Sequence, residues 1–94
     1  MTAELVLEFK DVTPEGDIIE MVIWRVPISV PPAAHVFKYR LAFVRAGRRI
    51  IGFDNEGGKG DHFHVNGREY PYAFVSLERL VDDFIAEIDK WRAR

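Results

Sequence analysis

Residues 36–54 read VFKYRLAFVRAGRRIIGFD, and the alternation within them decides the fold. Phe37, Tyr39, Leu41 and Phe43 fall on one parity, and Lys38, Arg40, Ala42 and Val44 on the other. Successive strand side chains point to opposite faces, so this period of two sorts the bulky apolar residues onto a core face and Lys38 and Arg40 onto an open one. Ala46 and Gly47 supply a tight turn, and RRIIGFD returns as the second arm of a hairpin.

Toward the N-terminus, ELVLEFK (4–10) and DIIEMVIWRV (17–26) are two more alternating runs, separated by DVTPEG, whose Pro14 and Gly16 carry turn chemistry. PISVPPAAH (27–35) breaks the pattern with three prolines that cannot sit in a central ladder, and reads as a connector. Toward the C-terminus, HFHV (62–65) and REYPY (68–72) flank Asn66-Gly67, a pair suited to the two positive φ angles of a type I′ hairpin turn. From Ser76 the period becomes helical. Leu77, Leu80, Val81, Phe84, Ile85, Ile88 and Trp91 recur at steps of three and four behind a Ser76 N-cap, with Glu78 in the first turn and Arg92 and Arg94 at the far end. The expected fold is α+β: an antiparallel sheet of about six short strands built from hairpins, covered on one face by a C-terminal helix.

The chain of 94 residues and 10.9 kDa has room for one domain, spanning 1–94. Its 48% apolar and 13% aromatic content excludes the disordered class. The absence of cysteine excludes disulfides, thiolate zinc sites and a cysteine nucleophile, and fits the cytoplasm. Glu4 and Glu8 interrupt the first apolar run, so no secretory signal is expected, and no stretch is long enough to span a bilayer. Charge is uneven: residues 1–34 hold two basic and six acidic groups, whereas residues 35–60 hold six basic and two acidic. A basic middle attracts phosphate-bearing ligands, although ordinary solvated strand faces give the same pattern.

The chemistry concentrates in DNEGGKGDHFHVNG (54–67). His62 and His64 share a strand face; with Phe63 under the helix, both imidazoles lie on the open face beside Lys38, Arg40 and Asp54. Two imidazoles can serve as acid and base near neutrality, and on RNA the ribose itself supplies the nucleophile, so no metal or other cofactor is called for. On this reading His62 and His64 are the catalytic pair and Asp54 orients an imidazole. Lys38, Arg40 and Lys59 hold phosphate, with Asn55 and Asp61 as further substrate contacts from the loop. Gly57, Gly58 and Gly60 would let backbone N–H groups approach a phosphate, although the spacing is not that of a Walker A loop.

Blander readings stand beside it. A His-x-His pair on an exposed face is often decorative, and Asp54 and Asn55 can form an Asx turn. Paired histidines can also share an ion completed by Asp54, Asp61 or His35, which would make a metal-dependent hydrolase. Arg25, Arg45, Arg48 and Arg49 read as solvated edge charges rather than substrate contacts, and Trp24, Tyr39 and Trp91 as core or interface aromatics. A non-enzymatic protein-binding module is the competing class.

MVIWRVPISVPPAAHVFKYRL (21–41), IIGFDNEGGKGDHFH (50–64) and EYPYAFVSLERLVDDFIAEI (69–88) together resemble the TumE family, small prokaryotic toxins of toxin–antitoxin pairs. The resemblance runs from about Glu4 to Trp91. It is most specific at Phe53-Asp54-Asn55 followed by His62 and His64, with Lys38-Tyr39-Arg40 in support. It implies a cytoplasmic toxin, an antitoxin partner with a helix-turn-helix region, and RNA cleavage as the activity. Where such toxins often carry a His- and Pro-rich loop, this chain has EGGKGD (56–61), so no loop histidine can be catalytic. An edge strand in so small a sheet invites pairing, with a homodimer and an antitoxin complex as the alternatives.

Overall fold

The computed structural model describes residues 2–29, 32, 34–55 and 59–93. Six strands, β1 (Glu4–Val12), β2 (Ile18–Arg25), β3 (Phe37–Arg45), β4 (Arg48–Asp54), β5 (His62–Val65) and β6 (Arg68–Pro71), precede one helix, α1 (Leu77–Arg92). They form an antiparallel sheet whose spatial order is its chain order, β1 to β6. The α+β fold expected from the periodicity is observed. β4 and β5 fall on the expected residues, and the other strand ends shift by one or two.

The turns follow from local chemistry. Asn66 and Gly67 adopt φ of 51° and 82°, the left-handed pair that lets a two-residue loop match the strand twist. Ala46 and Gly47 adopt the same hand at 52° and 76°, a conformation that crowds the Cβ of Ala46. In the first hairpin the Gly16 N–H donates to the Thr13 carbonyl at 2.8 Å, and the Asp17 N–H donates to Thr13 Oγ1 at 3.1 Å. Across the proline-rich connector, the Val26 N–H donates to the Val36 carbonyl at 2.8 Å, while Val30, Pro31 and Ala33 lie outside the described residues.

One sheet face carries the core. Met21 and Ile23 of β2, Tyr39, Leu41 and Phe43 of β3, and Ile51 and Phe53 of β4 pack against Leu80, Phe84 and Ile88 of α1. Ser76 caps the helix, its Oγ accepting the Arg79 N–H at 3.1 Å. The apolar stripe is narrower than its spacing implies, since Ile85 is 38% exposed while Leu80, Phe84 and Ile88, four apart, form the buried line. Trp91 meets Phe43 edge-on at 5.5 Å. Among the described residues no helix is long and apolar enough to cross a membrane.

Arg45 departs from its expected role as a solvated edge charge. Its Nε and Nη2 each donate to a carboxylate oxygen of buried Asp17 at 2.6 Å, and its guanidinium lies 4.5 Å from the Trp91 ring centre. Arg92 approaches Asp17 at 3.8 Å. The pair ties the first turn to β3 and to the helix end, and the Arg45 hydrogen bonds, opposed by burial, hold the Asp17 carboxyl below its ordinary range.

Candidate functional site

The face opposite the helix is built by strand register. Arg40 of β3 pairs with Asp54 of β4, which pairs with His62 of β5; one row along, Ala42, Gly52, His64 and Glu69 stand side by side. Phe63 turns to the helix side, its ring stacked on Phe53 at 4.9 Å, which commits His62 and His64 to the open face. Neighbouring strands are about 4.8 Å apart, so Arg40, Asp54 and His62 succeed one another at that spacing.

His62 is 6% exposed and held at both ring nitrogens. Its Nδ1 lies 2.9 Å from the Gly60 carbonyl oxygen, and its Nε2 lies 2.9 Å from Asp54 Oδ1. Both partners are acceptors, so a ring carrying both protons donates to each, whereas a neutral ring satisfies one. His64 stands edge-on to His62 with ring centres 5.2 Å apart. Its Nε2 is 3.1 Å from Glu69 Oε1, and its Nδ1 is buried without a hydrogen-bond partner among the described residues. Glu69 also accepts from Lys59 Nζ at 3.2 Å. That ammonium, aided by the two imidazoles and opposed by burial, holds the carboxyl below its ordinary range.

Sequence reasoning missed three contributors. Glu69 was legible, because a two-residue turn at Asn66-Gly67 forces position 69 opposite His64. Arg49 was not. Phe43 pairs with Ile51 but Val44 pairs with Arg49, so a bulge at Ile50 resets the parity and lays Arg49 across the open face. A Cβ on Gly52 would meet the Arg49 side chain at 3.0 Å, and Arg49 Nη1 ends 3.8 Å from Asp54 Oδ2. Gly52 therefore provides the bed for that arginine, and Arg49, exposed as expected, lies across the face of an inner strand rather than at the sheet edge.

Of the residues singled out in the sequence, Asp54, His62, His64, Lys59, Lys38 and Arg40 lie on or border this face. Lys38 and Arg40 are exposed and have no ion-pair partner among the described residues. With Trp24, Val22 and Tyr39 they line a groove of about 220 Å³. Trp24, read as a core or interface aromatic, is not in the core: it is 37% exposed, because its even position puts it beside Lys38 on the open side.

Asn55 and Asp61 are occupied elsewhere. The Asn55 side chain continues the ladder: its Oδ1 accepts the Tyr39 N–H at 3.1 Å and its Nδ2 donates to the Phe37 carbonyl at 2.7 Å. That commits the Asn55 amide to β3 in place of the expected substrate contact. Asp61 turns to the helix side, accepting His35 Nε2–H at 2.8 Å and the Tyr39 hydroxyl at 2.6 Å, so neither Asp61 nor His35 joins the histidine pair. Of the proposed anion-binding loop, Gly57 and Gly58 lie outside the described residues. Gly60, at φ 76°, packs against Pro32, whose Cγ would stand 3.1 Å from an added Cβ.

The resulting centre joins two imidazoles, two carboxylates and bordering cations, a set able to move protons or hold an ion. No curated protein and no solved structure matches the chain. A family model described as Toxin TumE matches residues 2–92. The chain belongs to the TumE toxin family: it is the toxin component of a toxin–antitoxin system, and an antitoxin is its partner.

Proposed function

We propose that this toxin binds RNA on the open sheet face and cleaves it at the Asp54–His62–His64 centre by general acid–base chemistry. The observation that carries the reading is one face combining paired imidazoles with exposed Lys38, Arg40 and Trp24, the two cations having no ion-pair partner among the described residues. Cations would neutralise the backbone phosphates, and an exposed indole offers a stacking surface for an unpaired base.

His64 takes the 2′-hydroxyl proton, and the 2′-oxygen attacks phosphorus. The bond to the 5′-oxygen breaks as His62, held between Gly60 and Asp54, passes a proton to that leaving oxygen. The products are a 2′,3′-cyclic phosphate and a 5′-hydroxyl end. Asp54 holds the imidazolium, and Lys38 and Arg40 hold the flanking phosphates. The work takes place where RNA is, in the cytoplasm. The partner is read as an antitoxin with a helix-turn-helix region, recognisable in a neighbouring reading frame. The long edge β1, with Leu5, Val6, Phe9 and Val12 exposed, is open to it or to a second copy.

The test is purified toxin on RNA with end-group analysis of the fragments. Cyclic phosphate ends from the parent and none from a His62→Ala, His64→Ala variant are expected. Full RNA cleavage and full toxicity in that variant would overturn the assignment, and growth inhibition without any RNA cleavage would favour the binding-module reading.

A further inference from the structure

The open-face cluster has a second property that acid–base chemistry does not require. One ligand atom each from Asp54, His62 and His64 lie within 4.8 Å of one another. Glu69 Oε1, which also accepts from Lys59, borders the group, 3.1 Å from His64 Nε2 and 3.9 Å from His62 Nε2. In a tetrahedral zinc site, bonds of about 2.0–2.1 Å put donors roughly 3.4 Å apart. Small side-chain rotations on a fixed backbone would close that gap, because Asp54 and His62 are register partners and His62 and His64 are two apart on one strand.

The surroundings are arranged as around a metal. A ligating histidine commonly donates its other N–H to a backbone carbonyl, fixing the tautomer that points its free nitrogen at the ion. His62 Nδ1 faces the Gly60 carbonyl at 2.9 Å in that manner, leaving Nε2 toward Asp54. In the neutral ring that Nε2 lone pair would confront a carboxylate oxygen, a mismatch that a cation between them removes. Asp54 presents Oδ1 to His62 and Oδ2 to Arg49, so one oxygen is steadied from outside while the other faces the cluster. His64 Nδ1, buried without a hydrogen-bond partner among the described residues, leaves that ring's hydrogen bonding incomplete.

We infer that Asp54, His62 and His64, completed by Glu69, form a binding site for one divalent cation of the zinc type. Two imidazoles with carboxylates favour zinc and its neighbours over magnesium or calcium, which prefer all-oxygen shells. The inference rests on reading these side chains as one centre. It adds a consequence: an ion held by both imidazoles withdraws the acid and the base, so zinc suppresses the cleavage proposed above.

The test is calorimetric titration of chelator-treated protein with zinc alone, and separately with magnesium. One zinc per chain and no magnesium signal are expected. Cobalt in place of zinc should show the intense visible absorption of a tetrahedral site, and zinc should raise the melting temperature of the parent protein. His64→Ala and Asp54→Ala should each weaken zinc at least about tenfold, with Lys90→Ala unchanged. No zinc binding up to millimolar concentration, or binding indifferent to both ligand variants, overturns the site even if RNA is still cleaved. Zinc bound with cleavage enhanced rather than suppressed keeps the site and overturns the metal-free mechanism. The thermal and cobalt measurements on the parent keep the question decidable if a variant fails to fold.

Discussion

Two histidine–carboxylate pairs sit on opposite sides of the same sheet, although Asp61 of one and His62 of the other are adjacent in the chain. On the helix side, His35 Nδ1 accepts the Phe37 N–H at 3.1 Å, its Nε2–H donates to Asp61, and the ring stacks on Phe74 with centres 3.8 Å apart. Tyr39 completes Asp61, its hydroxyl pushed far above the ordinary tyrosine range by burial and then by that carboxylate. There donors meet acceptors around a neutral ring. On the open side, His62 faces two acceptors and His64 keeps a nitrogen without a partner among the described residues. A saturated pair holds structure together, whereas an unsaturated one retains capacity for a proton, a phosphate or an ion.

The sharpest way to break this contrast is to remove one member from each side. Asp61→Ala should lower the unfolding free energy by about 3–4 kcal/mol in urea melts, because His35 and Tyr39 lose their common acceptor in a mostly buried site. His64→Ala should stay within about 1 kcal/mol of the parent while RNA cleavage falls at least about 100-fold. If both variants lose stability alike, the division into a structural and a chemical pair fails.

Tyr39→Phe sharpens the helix-side half. It removes one donor to Asp61 and should cost about 1–2 kcal/mol with cleavage retained. The saturated Asp17–Arg45 pair provides a pH reading. Its carboxyl is lowered in the folded state, so its stabilisation is complete above the ordinary Asp value of about 3.9 and is lost as pH falls through the folded value. The melting temperature should therefore drop below about pH 4, and Asp17→Asn should be less stable at neutrality with a flatter acid limb. The smallest effect is expected from Lys38→Ala or Arg40→Ala. Each should reduce RNA affinity modestly and lower the logarithmic salt slope by about one, leaving the melting temperature in place.

The elements that alternation and turn residues encode were readable. VFKYRLAFV and RRIIGFD announce β3 and β4, Asn66-Gly67 fixes the register of β5 against β6, and Ser76 marks the helix start because each is a local signal acting within a few residues. The same parity rule put His62 and His64 together on the open side with Asp54. What escaped depends on distant pairing or broken period. His35 lies 26 residues from Asp61 in a segment that reads as a connector, so nothing local announces their contact. The Ile50 bulge shifts Arg49 by one parity step, which no average of alternation detects. Asn55 looks like a loop residue, yet its amide imitates one more backbone step of β4 against β3.

Because each strand bonds only to its predecessor and successor, the sheet can be laid down vectorially, hairpin after hairpin, as synthesis proceeds. Leu80, Phe84 and Ile88 leave the ribosome after every strand, so the aromatic underside of β3 and β4 stays wet until the helix has emerged. Chains interrupted before the helix would carry all the chemistry of the upper surface on a platform with no lid beneath it, and truncation there should silence the toxin without touching a single reactive group.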